Sequence, residues 1–273
     1  MIDPETIVFD PEQTKSIMVI GEKNSGKSTL LKFLTKKLVR DLNIYRVYIF
    51  SGTAELNPIY MNWTPYVYGL DFDRIDRLLE RQRIMAVNRL VNPKIELKKI
   101  LIILDDYTNS INMHSKECIN TFGMLAVQGR HIGIITAYIS HRYSSNQNTI
   151  RCAQDMFFVT KTDIDSIQDK TTGLYSKQVD YESPKLLWKD YKENTKQRYS
   201  FMCIQKIDPY AQTVLWYNPI DTKANNSFKL AADNPELAEE DLPVRTLPAN
   251  EELSTADELS GEEEEEESDT AEE

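Results

Sequence analysis

Cysteine is scarce in this chain. Cys118, Cys152 and Cys203 are the only three among 273 residues, odd in number, far apart and without CxxC spacing, so neither a disulfide framework nor a zinc site is indicated. They read as small core residues in a reducing compartment. Histidine is as sparse, with only His114, His131 and His141, and no histidine metal cluster is suggested. No apolar run approaches the ~18 residues of a membrane span. The N-terminus MIDPETIVFDPE is polar and acidic and lacks the charged and apolar regions of a signal peptide. The expectation is a soluble protein, not secreted and without stable membrane insertion.

Charge is plentiful but unevenly divided. The net charge is −11, yet from Ala232 onward the chain holds 18 of its 43 acidic residues and one of its 32 basic ones, Arg245, a balance of −17. The first 231 residues keep 25 acidic and 31 basic side chains, a balance of +6. That mildly basic body is compatible with a phosphate-bearing partner. Residues 232–273 have few large apolar side chains, several prolines and six consecutive glutamates from Glu262 to Glu267. Such a composition predicts a disordered tail after an ordered domain spanning 1–231. The tail reads as a solubilising end, a competitor with nucleic acid for the basic body, or a docking strand for a basic partner.

The octapeptide GEKNSGKS, Gly21 to Ser28, carries the most specific chemistry. An apolar run from Ile17 to Ile20 precedes it and a helix-forming run from Ser28 to Val39 follows, the strand, loop and helix context of a phosphate cradle. Gly21 and Gly26 let the backbone bend around an anion, while the amides of Glu22, Lys23, Asn24 and Ser25 and the helix start point towards it. Lys27 would reach the β- and γ-phosphates of ATP, Ser28 would ligate Mg²⁺, and Thr29 would donate to the α-phosphate.

Along the body, Tyr45 to Gly52 alternates and reads as a strand, Phe72 to Val91 as a helix with Ile75, Leu78, Leu79, Ile84 and Val87 on one stripe, and Ile100 to Asp106 as a buried strand ending in two acids. Ser115 to Gln128 reads as a helix. Ile132 to Ile139 and Met156 to Val159 read as further buried strands, and Tyr199 to Tyr217 as an antiparallel pair joined around Asp208 and Pro209. Strands alternating with helices predict an α/β P-loop fold, mainly parallel, with helices on both faces and the hairpin at the sheet edge.

Hydrolysis needs a metal opposite the cradle and a group that orients water. Asp105, ending the buried strand, would hold Mg²⁺ with Ser28, and Asp106 would polarise the attacking water. Aspartate is one methylene shorter than the glutamate more common at that second position. The transferring phosphoryl group also needs a cation. Arg130 precedes the fourth strand, far from its own subunit's nucleotide; Arg142 and Arg151 lie beyond that strand's other end. Spacing leaves all three open, and His131 reads as an orienting residue at most.

The order of GEKNSGKST, an RQ-bearing helix, ILIILDDYT, GRHIGIITAYISHRY and NQNTIRCAQDMFFV resembles the poxvirus-type genome-packaging ATPases of large eukaryotic DNA viruses, within the wider HerA and FtsK class of ring-forming motors. The likeness covers about residues 10 to 220. It implies ATP-driven movement of double-stranded DNA into a preformed capsid by a homo-oligomeric ring. It also implies a capsid or packaging-vertex partner and work at the assembly site in the host cytoplasm or in the virion. A glutamine usually ends the fourth strand in that family and senses the γ-phosphate. Here His141 stands in that place, an imidazole that can also donate one hydrogen bond, and Gln147 is the other candidate. The Ile150-Arg151 pair agrees with the family pattern and favours Arg151 as the arginine. A segregation or repair motor of the same class, a small-molecule kinase, and a nucleotide-gated assembly protein with little turnover are the competing readings. The kinase lacks an arginine-rich lid or acceptor motif in this sequence.

Overall fold

A computed structural model describes residues 1–222 except 13, 15, 55–59, 61, 62, 108–114, 164, 166, 168–181 and 207–211. The predicted tail, the boundary at 231, His114 and the turn around Asp208 and Pro209 lie outside the described residues. Eight strands form one sheet: β1 (Ser16–Ile20), β2 (Arg46–Ser51), β3 (Val67–Tyr68), β4 (Ile100–Asp105), β5 (Ile134–Ser140), β6 (Met156–Val159), β7 (Phe201–Lys206) and β8 (Gln212–Tyr217). Their spatial order is β3-β2-β4-β5-β1-β6-β7-β8. The pairs from β3 through β6 are parallel. β7 and β8 run antiparallel, so the expected hairpin extends the sheet at the β6 side.

β1 is buried along its whole length, as are β2, β4, β5 and β6, because strands covered on both faces need apolar side chains on both. Period-two alternation then sorts them. Ile17, Val19, Val47, Ile49, Leu101 and Ile103 face one layer with Leu30, Leu31, Leu34 and Leu38 of helix α1 (Lys27–Asp41). Met18, Ile20, Tyr48, Phe50, Ile102 and Leu104 face the other. There they meet α2 (Phe72–Val91), α3 (Lys116–Gln128) and α5 (Pro184–Asn194), through Ile75, Phe122 and Leu187 among others. A short α4 (Asn148–Cys152) follows β5.

Three helices start with a side-chain cap: Asp71 accepts from the Arg74 amide, Ser115 from Cys118 and Ser183 from Leu186, each satisfying an otherwise orphaned donor. Helix α1 starts differently. Its cap is Gly26, at φ 95° and with no side-chain hydrogen bond, which leaves the first turn's N–H groups for another acceptor.

Several sequence expectations need correction. The apolar stripe of α2 holds at Ile75, Leu78 and Leu79, all buried, but Val87 is 39% exposed. Buried Gln82 joins that stripe instead, its amide donating to the carbonyls of Lys98, Ile132 and Gly133. Cys118 and Cys203 are core residues as expected, whereas Cys152 is exposed. The fourth predicted strand begins at Ile134, since Gly129–His131 forms a 3-10 turn and Gly133 takes φ 78°. Among the described residues no helix is long and apolar enough to cross a membrane.

Candidate nucleotide site at the strand ends

The sheet order decides what meets at the loop after β1. β5 and β6 flank β1, and β4 lies one strand further, beyond β5. Ile20 is in register with Ser140 and with Val159, and Ile139 with Asp105. The C-terminal ends of four parallel strands therefore deliver Gly21, Asp105-Asp106, His141 and Thr160 to one edge, where open α/β sheets bind ligands.

The loop itself is tied down at several points. The Gly21 amide donates to Ser140 and the Glu22 amide to Lys161, across 3.2 and 2.7 Å. The Ser25 and Thr160 hydroxyls meet at 2.7 Å, and Thr160 also donates to the Ile20 carbonyl. A Cβ on Gly21 would lie 1.9 Å from the Thr160 hydroxyl, and one on Gly26 would lie 2.8 Å from the Tyr199 ring. Both glycines are therefore required by close approach, and Gly26 by its positive φ as well. Asn24 also takes a left-handed conformation, at φ 62°.

Lys27 opens α1 and folds its side chain back over the loop. Its ammonium donates to the Gly21 and Glu22 carbonyls at 2.7 and 2.8 Å and lies 3.3 Å from His141 Nδ1. Burial pulls its pKa below the ordinary value, against the charges of Asp106, Asp105 and Glu22, which hold it up. His141 Nε2 lies 3.0 Å from Asp106 Oδ1. An ammonium only donates and a carboxylate only accepts, so these neighbours assign the neutral imidazole with its proton on Nε2. A continuous chain thus runs from Lys27 through His141 to Asp106.

Asp105 is 6% exposed and accepts from the Tyr60 hydroxyl at 2.6 Å. Burial pushes its carboxyl up to about 6; the Tyr60 bond and Lys27 oppose that rise, and the Asp106 charge adds to it. Tyr60 is itself fully buried, and burial raises its phenol well above the ordinary value, so it remains a donor. The Ser28 side chain acts on the same phenol and opposes that rise, so Ser28 and Asp105 both neighbour Tyr60. At Asp106 the chain turns sharply, with φ 51°, a conformation a non-glycine residue seldom adopts without a local reason.

Other predicted residues lie elsewhere. The Gln147 amide donates to Cys118 Sγ at 3.7 Å on α3, whereas His141 contacts both Lys27 and Asp106. Arg151 is half-buried, with its guanidinium 5.2 Å from the centre of the Tyr143 ring and 3.5 Å from Asn148. The Arg142 side chain is 70% exposed, 3.4 Å from Asp163. Arg130 and His131 are exposed and precede β5, at the opposite end of the sheet. Tyr60, Thr160 and Tyr199 had not been singled out: Tyr60 comes from a loop without periodic signal, and the other two reach the site only through the sheet order.

No protein-family model matches the chain, and no curated protein matches it in sequence. Solved structures do. The genome packaging NTPase B204 of Sulfolobus turreted icosahedral virus 2, in complex with sulfate, aligns over 78% of this chain and 99% of its own length, at 15% identity and a TM-score of 0.51. EssC (ATPases 2 and 3) of Geobacillus thermodenitrificans aligns over 77% of this chain and 40% of its own, at 17% identity and a TM-score of 0.50. At such identities the likeness is one of fold: the mainly parallel α/β sheet of this chain is shared with a viral genome packaging NTPase and with EssC.

Proposed function

We propose that the chain is a Mg²⁺-dependent ATPase that drives double-stranded DNA into a viral capsid, working as a homo-oligomeric ring with a capsid or packaging-vertex partner. The observation that carries the hydrolytic part is the convergence of Lys27, His141 and Asp106 within 3.3 Å steps at an uncapped helix start. The packaging part is supported by the fold shared with B204 over nearly all of that protein's length.

The residues divide by role. Gly21 to Ser25, Gly26 and Thr29 cradle phosphates with backbone and hydroxyl donors. Lys27, now held by neutral carbonyl oxygens and an imidazole, would exchange them for charged phosphate oxygens, which make stronger hydrogen bonds. Ser28 and Asp105 offer a hydroxyl and a carboxylate beside Tyr60, an oxygen donor set that suits Mg²⁺. Bound there, the ion would neutralise charge on the β- and γ-phosphates. Asp106 orients the attacking water together with His141, whose Nδ1 is an acceptor once Lys27 turns to phosphate. Arg151 is the cation for the transferring phosphoryl group, provided its contacts with Tyr143 and Asn148 open. Residues 1–231 form the motor and 232–273 its acidic tail.

Displacement of a triplex-forming strand from a linear duplex tests translocation itself. ATP-dependent displacement that is lost with Asp106→Asn supports the motor. ATP turnover without displacement would leave an ATPase that does not move DNA.

A further inference from the structure

At the end of the sheet opposite the nucleotide site, a cleft of about 830 Å³ opens where β2, β4 and β5 begin. Arg89, Lys94, Lys98, Lys99 and Arg130 line it, against Glu12 and Glu96, a surplus of three positive charges. Among its apolar lining residues Leu97 is half-buried and Ile134 buried. Ile95 lines it while 38% exposed, and Leu90 and Val91, beside it in the chain, are 83% and 84% exposed. Cations beside the exposed side chains of Ile95, Leu90 and Val91 call for a ligand that is both acidic and apolar.

We infer that this cleft is the docking site of the chain's own acidic C-terminal segment, residues 232–273. That segment carries −17 in charge and sets Leu237, Leu242, Leu247, Leu253 and Leu259 among its acids. A nucleic-acid backbone would satisfy the lysines and arginines but would leave Ile95, Leu90 and Val91 in water. Geometry permits the contact within one chain. β8 runs parallel to β1, so the described chain leaves at the nucleotide end of the sheet, five strands from β4. Crossing five strand spacings and one strand length is a path of about 30–35 Å. The ~35 residues between 222 and the last leucines cover about that distance. Docking the segment screens the positive charge of this face and withdraws it from any other polyanion, which gives the body a self-masking surface.

Carbodiimide coupling of the full-length protein, which joins a lysine amine to a carboxylate in contact, tests the inference without reference to ATP turnover. Peptide mapping is expected to find Lys94 and Lys98 joined to glutamates of residues 251–267. The links should be intramolecular in an equal mixture of light and heavy isotope-labelled protein and lost at ~0.5 M salt. Replacing Glu262 through Glu267 by glutamine should reduce them severalfold. Absence of these links, or links formed only between chains, overturns the inference. If the variant Lys94→Gln/Lys98→Gln loses duplex-DNA affinity while the wild type shows no tail links, the cleft is a nucleic-acid surface instead, and the inference is again overturned.

Discussion

His141 Nε2 and Asp106 Oδ1 are 3.0 Å apart, and the other nitrogen of the same ring faces the Lys27 ammonium at 3.3 Å. The imidazole therefore touches both the phosphate-binding lysine and the acid proposed to orient water. β5 lies between β1 and β4, and the residue leaving its end falls between the ends of its neighbours. His141→Ala is expected to keep nucleotide affinity within severalfold and to lower kcat by about 10²-fold. His141→Gln, which restores a donor and an acceptor, should recover most of that loss. Equal turnover of His141→Ala and wild type would remove the imidazole from the mechanism.

Lys27 and Asp106 should separate binding from chemistry. Lys27→Ala removes the cation that replaces loop carbonyls by phosphate, so both nucleotide affinity and turnover are expected to fall. Asp106→Asn keeps the size of the side chain and its contact with His141, and should bind Mg·ATP while losing about 10²-fold or more in kcat. Fluorescent-nucleotide titration beside steady-state turnover distinguishes the two.

Asp105 makes the site sensitive to acid. Its carboxyl titrates at about 6 in the folded protein against an ordinary 3.8, so the folded state holds the proton more tightly than the unfolded chain. Its contribution to stability is present below pH ~4 and is lost as pH rises through about 6. Asp105→Asn should thus stabilise the metal-free protein by about 3 kcal/mol at pH 8 and by little at pH 4, read by urea unfolding. Mg²⁺ requires the ionised carboxylate, so its affinity should rise with pH across the same interval. Tyr60→Phe removes a bond that holds this pKa down and should shift the Mg²⁺ profile to higher pH.

Gly26→Ala tests the cradle's geometry. The added methyl group would sit 2.8 Å from Tyr199 at a φ of 95°. A destabilisation of about 1–3 kcal/mol is expected, with nucleotide affinity falling alongside it. The double variant with Tyr199→Ala should recover the steric part and leave the backbone part.

Much of this architecture was legible because its signals are contiguous. A glycine loop between a buried run and a helix, or a buried run ending in Asp105 and Asp106, declares itself within a dozen residues. Sheet order does not: the family resemblance puts His141 in the sensor place with Gln147 as the other candidate, and the structure sends the first to Lys27 and the second to Cys118. Tyr60 was invisible for a related reason: a lone aromatic outside any periodic pattern acquires meaning only when its hydroxyl reaches Asp105. The helix Pro184–Asn194 did carry a local signal, Ser183 as cap and Pro184 in its first turn, which went unread. β3, only two residues long, offers no periodicity to read.

Steady-state ATP turnover of the purified full-length protein, with and without linear double-stranded DNA at low and at higher salt, bears most directly on the proposed motor. DNA-stimulated hydrolysis that fades as salt rises is the expected result, since a motor that grips the duplex mainly through phosphates releases counterions when it binds. Turnover indifferent to DNA at every salt concentration, or no turnover at all, would contradict a DNA-driven motor; the second result would point to a nucleotide-gated assembly protein.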